Sequence, residues 1–93
     1  MDELQSYRDQ IDAIDKEMLE LFSRRMAIVS DIASYKMERD MIVYDQTREE
    51  EVINKNLEYC KDLELKAYYA EVLEVILRVS KEYQKQIILR STI

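Results

Sequence analysis

Arg25 stands in a long amphipathic pattern at a position where the spacing calls for Leu or Ile. A guanidinium buried in such a seam is costly unless a carboxylate of the protein or a bound anion pairs with it. Lys36 follows eleven residues later, which on a helix is within roughly 20° of the same face and about 16 Å further along the axis. Two long cationic side chains reaching toward each other across this interval leave a gap sized for a small molecule, and they predict that an anion binds there.

Two further arginines are candidates for the same pocket. Arg48 lies at the predicted start of a second helix, and Arg8 lies seventeen residues before Arg25, roughly 25 Å away along the first helix. Arg8 is therefore too distant to share the gap within one chain, but in an antiparallel or crossed dimer it can reach the pocket of the other copy. Such a cluster of cations repels itself unless an anion occupies it, so we expect a ligand with more than one negative charge, best a dicarboxylate.

Four other polar residues are candidates for the remaining contacts. Ser80 and Gln84 interrupt an aliphatic stripe of the third predicted helix and need hydrogen-bond partners when buried. Glu49 follows Arg48 directly, and Asp45 is the predicted N-cap before both. Taken singly, the seam arginine is better explained by a structural ion pair or a snorkelling side chain, and each of the other cations as a solvated surface charge. Glu49 alone is better explained as a helix-terminal charge, and Ser80 and Gln84 as polar groups satisfied by backbone or water. Spacing alone does not decide, and a site is predicted only if these residues converge on one cavity.

The composition excludes several other kinds of protein. The chain has 93 residues, 47% hydrophobic and 37% charged, which predicts a single folded domain over 1–93. A net charge of -6 argues against nucleic acid or an anionic membrane as the partner. With no His and one Cys, the usual proton shuttle, thiolate nucleophile and most zinc sites are unavailable. An enzyme built from these residues would best catalyse by holding and electrostatically favouring a reactive shape, and we expect neither a metal nor a cofactor.

The single cysteine bears on the compartment. Cys60 has no partner for an internal disulfide, which suits a reducing environment, and it is expected to be a small core residue. The N-terminus has no cationic, apolar, cleavable pattern, and no long uncharged run follows it. We therefore expect a cytoplasmic protein.

The absence of Gly and Pro predicts an all-α fold of three long helices with few connections. The first helix is expected to begin near Asp2 and to fade at 38–40. The second is expected to begin at Asp45, to carry a capping box and to end near 61–64, and the third to run over 65–89. The residues of that capping box are Thr47 and Glu50.

The apolar seam of the first helix is longer than one copy of the chain can cover. A helix of some 33 residues, Leu4 to Lys36, extends roughly 50 Å, whereas a compact domain of this size has a radius of gyration of about 12 Å. We therefore expect a second copy of the chain, or another partner, to pack on the seam. Spaced by three and four, its members are Leu4, Tyr7, Ile11, Ile14, Met18, Leu21, Ile28, Ile32 and Tyr35.

The third helix carries two stripes, and the uninterrupted one is expected to be its main seam. The members of that seam are Leu65, Tyr69, Val72, Ile76, Val79 and Tyr83. The members of the second stripe are Leu73, Leu77, Ser80, Gln84 and Ile88.

Taken together, these residues resemble the all-α chorismate mutase family. The motifs are individually loose, but their joint order is specific and covers nearly the whole chain. In order they are Arg8, Ile11-Asp12-Ala13-Ile14-Asp15, Arg24-Arg25, Lys36, Asp45-Gln46-Thr47-Arg48-Glu49, Ser80 and Gln84. The resemblance implies three helices that intertwine with a second copy, in a homodimer whose sites are each completed by an arginine of the other chain. It also implies the Claisen rearrangement of chorismate to prephenate, on the shikimate route to Phe and Tyr.

The resemblance also implies which groups hold the substrate's carboxylates. Arg25 and the partner's Arg8 would grip them, Arg48 would add positive potential, and Ser80 would assist at one carboxylate. No nucleophile, metal or proton transfer is needed, because a pericyclic rearrangement requires only a compact conformer and favourable charge at the breaking bond.

The remaining implied roles concern the ether oxygen and the ring hydroxyl. Lys36 and Gln84 would hydrogen-bond the ether oxygen, where negative charge grows in the transition state. Glu49 and the backbone of Asp45 would receive the ring hydroxyl. Gln84 is neutral, so its donor does not depend on pH.

Two other functions compete with this one. Isochorismate pyruvate lyase is similar in fold and in its cationic residues, but there the residue after the Arg48 equivalent is typically apolar, so Glu49 favours the mutase. A non-catalytic helical dimerisation module needs only the heptads, and it leaves Arg25, Ser80 and Gln84 unexplained.

Overall fold

The computed structural model describes residues 2–92 and consists of three helices. Helix α1 spans Glu3–Glu38, α2 spans Gln46–Tyr59, and α3 spans Leu63–Ser91. No strand occurs within 2–92, so the all-α prediction is confirmed. The second helix ends slightly earlier than predicted. The third begins two residues earlier than predicted, because the side chain of Asp62 caps the first free amides of α3.

Each helix begins at an aspartate whose side chain accepts hydrogen bonds from the first free backbone amides. Asp2 accepts from Leu4, Asp45 from Arg48, and Asp62 from Glu64 and Leu65. The predicted N-caps of the first two helices are confirmed. The predicted capping box is wrong, because Asp45 already caps α2 and the two capping-box residues lie inside the helix. Those residues are Thr47 and Glu50.

The end of α1 turns without a glycine. Asp40 takes a positive φ of 53°. The backbone amide of Met41 donates to the carbonyl of Lys36 at 2.9 Å, and the amide of Asp40 donates to the carbonyl of Met37 at 3.3 Å. This is the Schellman arrangement, in which a left-handed residue closes the helix and satisfies its last carbonyls. It turns the chain back from Lys36 toward the start of α2.

Helices α1 and α2 both pack on α3. The buried apolar side chains are Val29 and Ala33 of α1 and Leu73 and Leu77 of α3. Ala33 is fully buried, because a short side chain lets two helices approach closely. Two polar residues among 2–92 are buried as well, Ser80 and Gln84.

Within one chain, the stripe of α3 that contains Ser80 and Gln84 is the buried one. The predicted main seam is mostly exposed within one chain, and its role as the main seam stays a prediction. The predicted main seam carries two tyrosines, Tyr69 and Tyr83, and mostly faces outward within one chain. The exposed members of that seam are Leu65, Tyr69, Val72 and Tyr83.

The molecule is elongated. Its extents are 57 × 29 × 14 Å and its radius of gyration is 16.9 Å, well above that of a compact domain of this size. The first half of α1 extends beyond the packed region. Every member of the seam predicted along the whole of α1 is exposed within one chain. Within residues 2–92, no helix combines the length and the apolar character needed to cross a bilayer.

Candidate functional site

Residues from all three helices line one cavity of about 230 Å³, where the second half of α1 and the start of α2 meet the second half of α3. Seven of the eight predicted site residues lie on its wall. They are Arg25, Lys36, Asp45, Arg48, Glu49, Ser80 and Gln84. The remaining wall is mostly aliphatic, with Val29, Ile32, Val43, Val52 and Leu77.

Arg25 is held by a hydroxyl rather than by a carboxylate. Its Nη1 donates to Oγ of Ser80 at 2.5 Å, and the Ser80 hydroxyl donates in turn to the carbonyl of Ile76 at 2.7 Å. Among residues 2–92, no carboxylate lies within ion-pairing distance of Arg25. The guanidinium is therefore fixed in direction while its charge stays uncompensated.

The surroundings of Arg25 disfavour its charged form. Burial lowers the pKa of Arg25 below its usual value, and the positive charge of Arg48 lowers it further. A bound anion would act in the opposite direction, because a nearby negative charge favours the guanidinium ion. Burial and the nearby Arg48 therefore both make it favourable for an anion to bind beside Arg25.

Lys36 is positioned by the segment that follows α1. Its Nζ donates to the carbonyl of Val43 at 2.8 Å. The turn at Asp40 makes this contact possible, since it brings the chain back over the last turn of the helix. As with Arg25, the partner is a neutral acceptor, so the ammonium keeps its charge available to the cavity.

The start of α2 contributes three wall residues, namely its N-cap Asp45 and, in its first turn, Arg48 and Glu49. Oδ1 of Asp45 is engaged in capping the amide of Arg48 at 3.0 Å. The Arg48 guanidinium lies outward, 3.4 Å from Oε2 of Glu51, with its side chain 59% exposed. The side chain of Glu49 is only 22% exposed. The start of α2 thus presents the partly buried carboxylate of Glu49 to the cavity and one arginine at its rim.

Gln84 provides the one buried side-chain polar atom, within the part of the chain described, that has no hydrogen-bond partner. The residue is 7% exposed, and its Oε1 meets no donor. A buried amide oxygen without a hydrogen bond lowers the stability of the fold by about 1–3 kcal/mol, so the presence of Gln84 at this position needs an explanation. Its position on the cavity wall supplies one, because a ligand can complete its hydrogen bonds.

Lys81 is a wall residue that the sequence reasoning missed. Its Nζ lies 3.1 Å from Oε2 of Glu49 and 4.9 Å from the centroid of the Tyr44 ring. The available signal was its position four residues after Leu77 and three before Gln84, on the stripe that proved to be buried.

Arg8 does not reach this cavity. It lies exposed in the first half of α1, seventeen residues before Arg25, which corresponds to roughly 25 Å along the helix. Its role in the site of a second copy stays a prediction.

The charges of the wall suit a small dianion. Four cationic side chains and two carboxylates line the cavity of a chain whose net charge is -6. Arginine, lysine, amide and hydroxyl groups are donors, and fixed donors in a partly dry cavity stabilise developing negative charge better than water does. The arrangement can bind and shape an anion without a nucleophile.

Comparison with known proteins identifies a family. The model for chorismate mutase type II matches residues 7–85. The chain is 30% identical over 83 residues to a bifunctional chorismate mutase/prephenate dehydratase of Buchnera aphidicola, which covers 88% of this chain and 22% of that protein. It is 33% identical over 49 residues to the T-protein of Haemophilus influenzae, covering 53% of this chain and 13% of that protein. No solved structure matches the chain significantly.

Proposed function

Because the chain belongs to the chorismate mutase type II family, we propose that its cavity catalyses the rearrangement of chorismate to prephenate. The observation that carries this proposal is the convergence of Arg25, Lys36 and Gln84, from two helices, on one cavity wall. An intramolecular rearrangement is accelerated by holding the reactive conformer and by placing charge where the transition state develops it. These three residues supply both.

The two carboxylates of the substrate are held by Arg25 and by the partner's Arg8, and Arg48 adds positive potential at the rim. Arg25 offers a fork already directed by Ser80, so little conformational freedom is lost on binding. Arg48 at the rim exchanges its exposed contact with Glu51 for the substrate's charge, a small loss because exposed ion pairs contribute about 0–1 kcal/mol. Holding both carboxylates restrains the substrate in its compact shape.

The breaking ether bond is stabilised by Lys36 and Gln84. Negative charge accumulates on the ether oxygen, so a cation and an amide donor there favour the transition state over the substrate. The ether oxygen only accepts hydrogen bonds, so Gln84 must present Nε2 to it. A half-turn of the terminal amide exchanges Nε2 with the unpartnered Oε1 at little cost.

The ring hydroxyl is received at the start of α2. Glu49 offers a partly buried carboxylate on the wall, and the backbone of Asp45 lies one turn before it. A carboxylate is a strong hydrogen-bond acceptor, whereas an apolar side chain at this position would leave the hydroxyl unsatisfied. Glu49 therefore favours a substrate whose hydroxyl points toward α2.

The second carboxylate contact comes from a second copy of the chain. An apolar groove of about 610 Å³ lies open between α1 and α3, and the exposed seam of α1 continues beyond it. A homodimer would cover these surfaces and bring the partner's Arg8 toward the cavity of this chain. The groove is lined by Met18, Leu19, Leu21, Phe22, Arg25, Tyr69, Val72 and Ile76.

The chain spans 22% and 13% of the lengths of the two relatives. The proposal therefore concerns the activity of residues 1–93 as a single mutase domain that needs no cofactor. The single thiol of Cys60 agrees with a reducing compartment and hence with a cytoplasmic location.

The test is an assay of purified protein with chorismate, in the presence of a chelator and without added cofactor. Prephenate should form in proportion to enzyme concentration, and a sizing column should show a dimer. The control is the same assay with isochorismate. Release of pyruvate from isochorismate with no prephenate formed from chorismate would assign the lyase activity instead and overturn the proposal.

A further inference from the structure

The ion pair between Lys81 and Glu49 differs from the other ion pairs of residues 2–92. Nζ of Lys81 lies 3.1 Å from one carboxylate oxygen of Glu49 and 3.4 Å from the other. The two side chains are 29% and 22% exposed, whereas every partner in the other pairs is at least 49% exposed. Because water screens this pair less, each charge acts more strongly on the other and on the cavity.

Lys81 also ties three segments together. It belongs to α3, its carboxylate partner belongs to the first turn of α2, and its ammonium lies 4.9 Å from the ring centroid of Tyr44 in the connection before α2. A cation over an aromatic face gains a further attraction that holds the ammonium in place. The position of the Glu49 carboxylate is therefore set from α3.

A carboxylate in this cavity poses an electrostatic problem. If the ligand carries two negative charges, an unpaired Glu49 on the same wall repels it, at an effective dielectric constant of about 20, strongly enough to weaken binding by roughly tenfold or more. A cation that touches both oxygens removes most of this repulsion. It leaves lone pairs on the carboxylate free to accept a hydroxyl.

We propose that Lys81 is a positioning residue that neutralises Glu49, so that this carboxylate accepts the substrate's ring hydroxyl without repelling the dianion. The inference rests on the proposed function of the same cavity. Lys81 acts through Glu49 and makes no contact with the reacting atoms.

The first test compares Lys81→Met with wild type in the chorismate assay. We expect KM to rise by at least about tenfold while kcat stays within about threefold, because the loss affects binding of the dianion and not the ether oxygen. Lys81→Arg should restore KM to within about threefold of wild type, since it keeps the charge. The matched control is Lys85→Met, the same change at an exposed position one turn further along α3.

The second test removes the charge of Glu49. In the Glu49→Gln background, adding Lys81→Met should change KM by less than about threefold, because no carboxylate remains to be neutralised. If Lys81 had only a structural role, Lys81→Met would raise KM both in wild type and in the Glu49→Gln background. Circular dichroism and a sizing column should show the same fold and assembly for every variant, and Lys81→Gln replaces Lys81→Met should the latter not fold.

The outcomes separate this inference from the proposed function. Absence of prephenate formation by the wild-type protein overturns the proposed function. If wild type is active, an unchanged KM in Lys81→Met overturns the role of Lys81. An equal rise in KM on adding Lys81→Met to wild type and to Glu49→Gln also overturns it. Such a result would mean that Lys81 binds the substrate directly or supports the fold.

Discussion

The two central cations of the cavity are held by neutral acceptors. Arg25 donates to the Ser80 hydroxyl and Lys36 donates to the Val43 carbonyl. A carboxylate in either place would fix the side chain equally well but would compete with an anionic ligand for its charge. Neutral partners fix direction and leave charge available, which is what preorganised stabilisation of negative charge requires.

Lys36→Ala tests this arrangement at its most direct point. We expect kcat to fall by at least about 100-fold, because the variant loses a cation that acts on charge developed in the transition state. The elution volume on a sizing column and the helical circular dichroism should not change. Lys85→Ala, at an exposed position of α3, is the control and should leave kcat within about twofold. An unchanged rate in Lys36→Ala would reject the assigned role.

The rate should depend little on pH. Gln84 does not titrate, and although burial and then Arg48 lower the pKa of Arg25, a guanidinium loses its proton only at strongly alkaline pH. Arg25 therefore stays charged from pH 5 to 8, and kcat measured across that range should vary by less than about threefold. A steep decline within it would show that another group controls the ether oxygen.

The first turn of α2 both begins a helix and forms part of the cavity wall. Asp45 caps the amide of Arg48, and the next residue, Glu49, faces Lys81. A frayed start of α2 would therefore misplace both side chains at once. Asp62 plays the same capping role for α3 but lies away from the cavity.

These two aspartates make a matched pair for measurement. Asp45→Ala and Asp62→Ala should each lower the free energy of unfolding by about 1 kcal/mol, because each removes an N-cap. Urea denaturation followed by circular dichroism measures this. Only Asp45→Ala should also raise KM, by about tenfold, since α2 orients Arg48 and Glu49. Equal effects of both variants on KM would contradict a specific role for the start of α2.

The whole molecule is too long to bury its own apolar surface. Its longest extent is 57 Å, and the seam of α1 is exposed from Leu4 to Tyr35. Because contiguous apolar surface of this kind is typical of protein interfaces, we expect a second copy to cover it and to bring its Arg8 toward the Arg25 of this chain.

Mixing two inactive variants tests a site shared between chains. Arg8→Ala and Arg25→Ala should each lose most activity, but a heterodimer contains one site with both arginines intact. After complete subunit exchange, half of the dimers are heterodimers, so about one quarter of the wild-type activity should return. Exchange is verified with a size-tagged copy of one variant. No recovery despite exchange would place each complete site within a single chain.

The sequence by itself determined the helices and the set of candidate residues. Helix ends follow from local chemistry, since Asp2 and Asp45 cap amides two or three residues away. Apolar periodicity fixed the helical character of the chain. Polar residues that break this periodicity, such as Arg25 and Ser80, marked the cavity wall because such intruders need partners.

Only the tertiary structure decided which stripe of α3 is buried and which side chains pair. Arg25 meets Ser80 across 55 residues, and Lys81 meets Glu49 across 32. Such contacts depend on the angle and depth at which helices pack, which many side chains set together and which no short spacing encodes. For that reason Lys81 escaped prediction, although its neighbours on the same stripe did not.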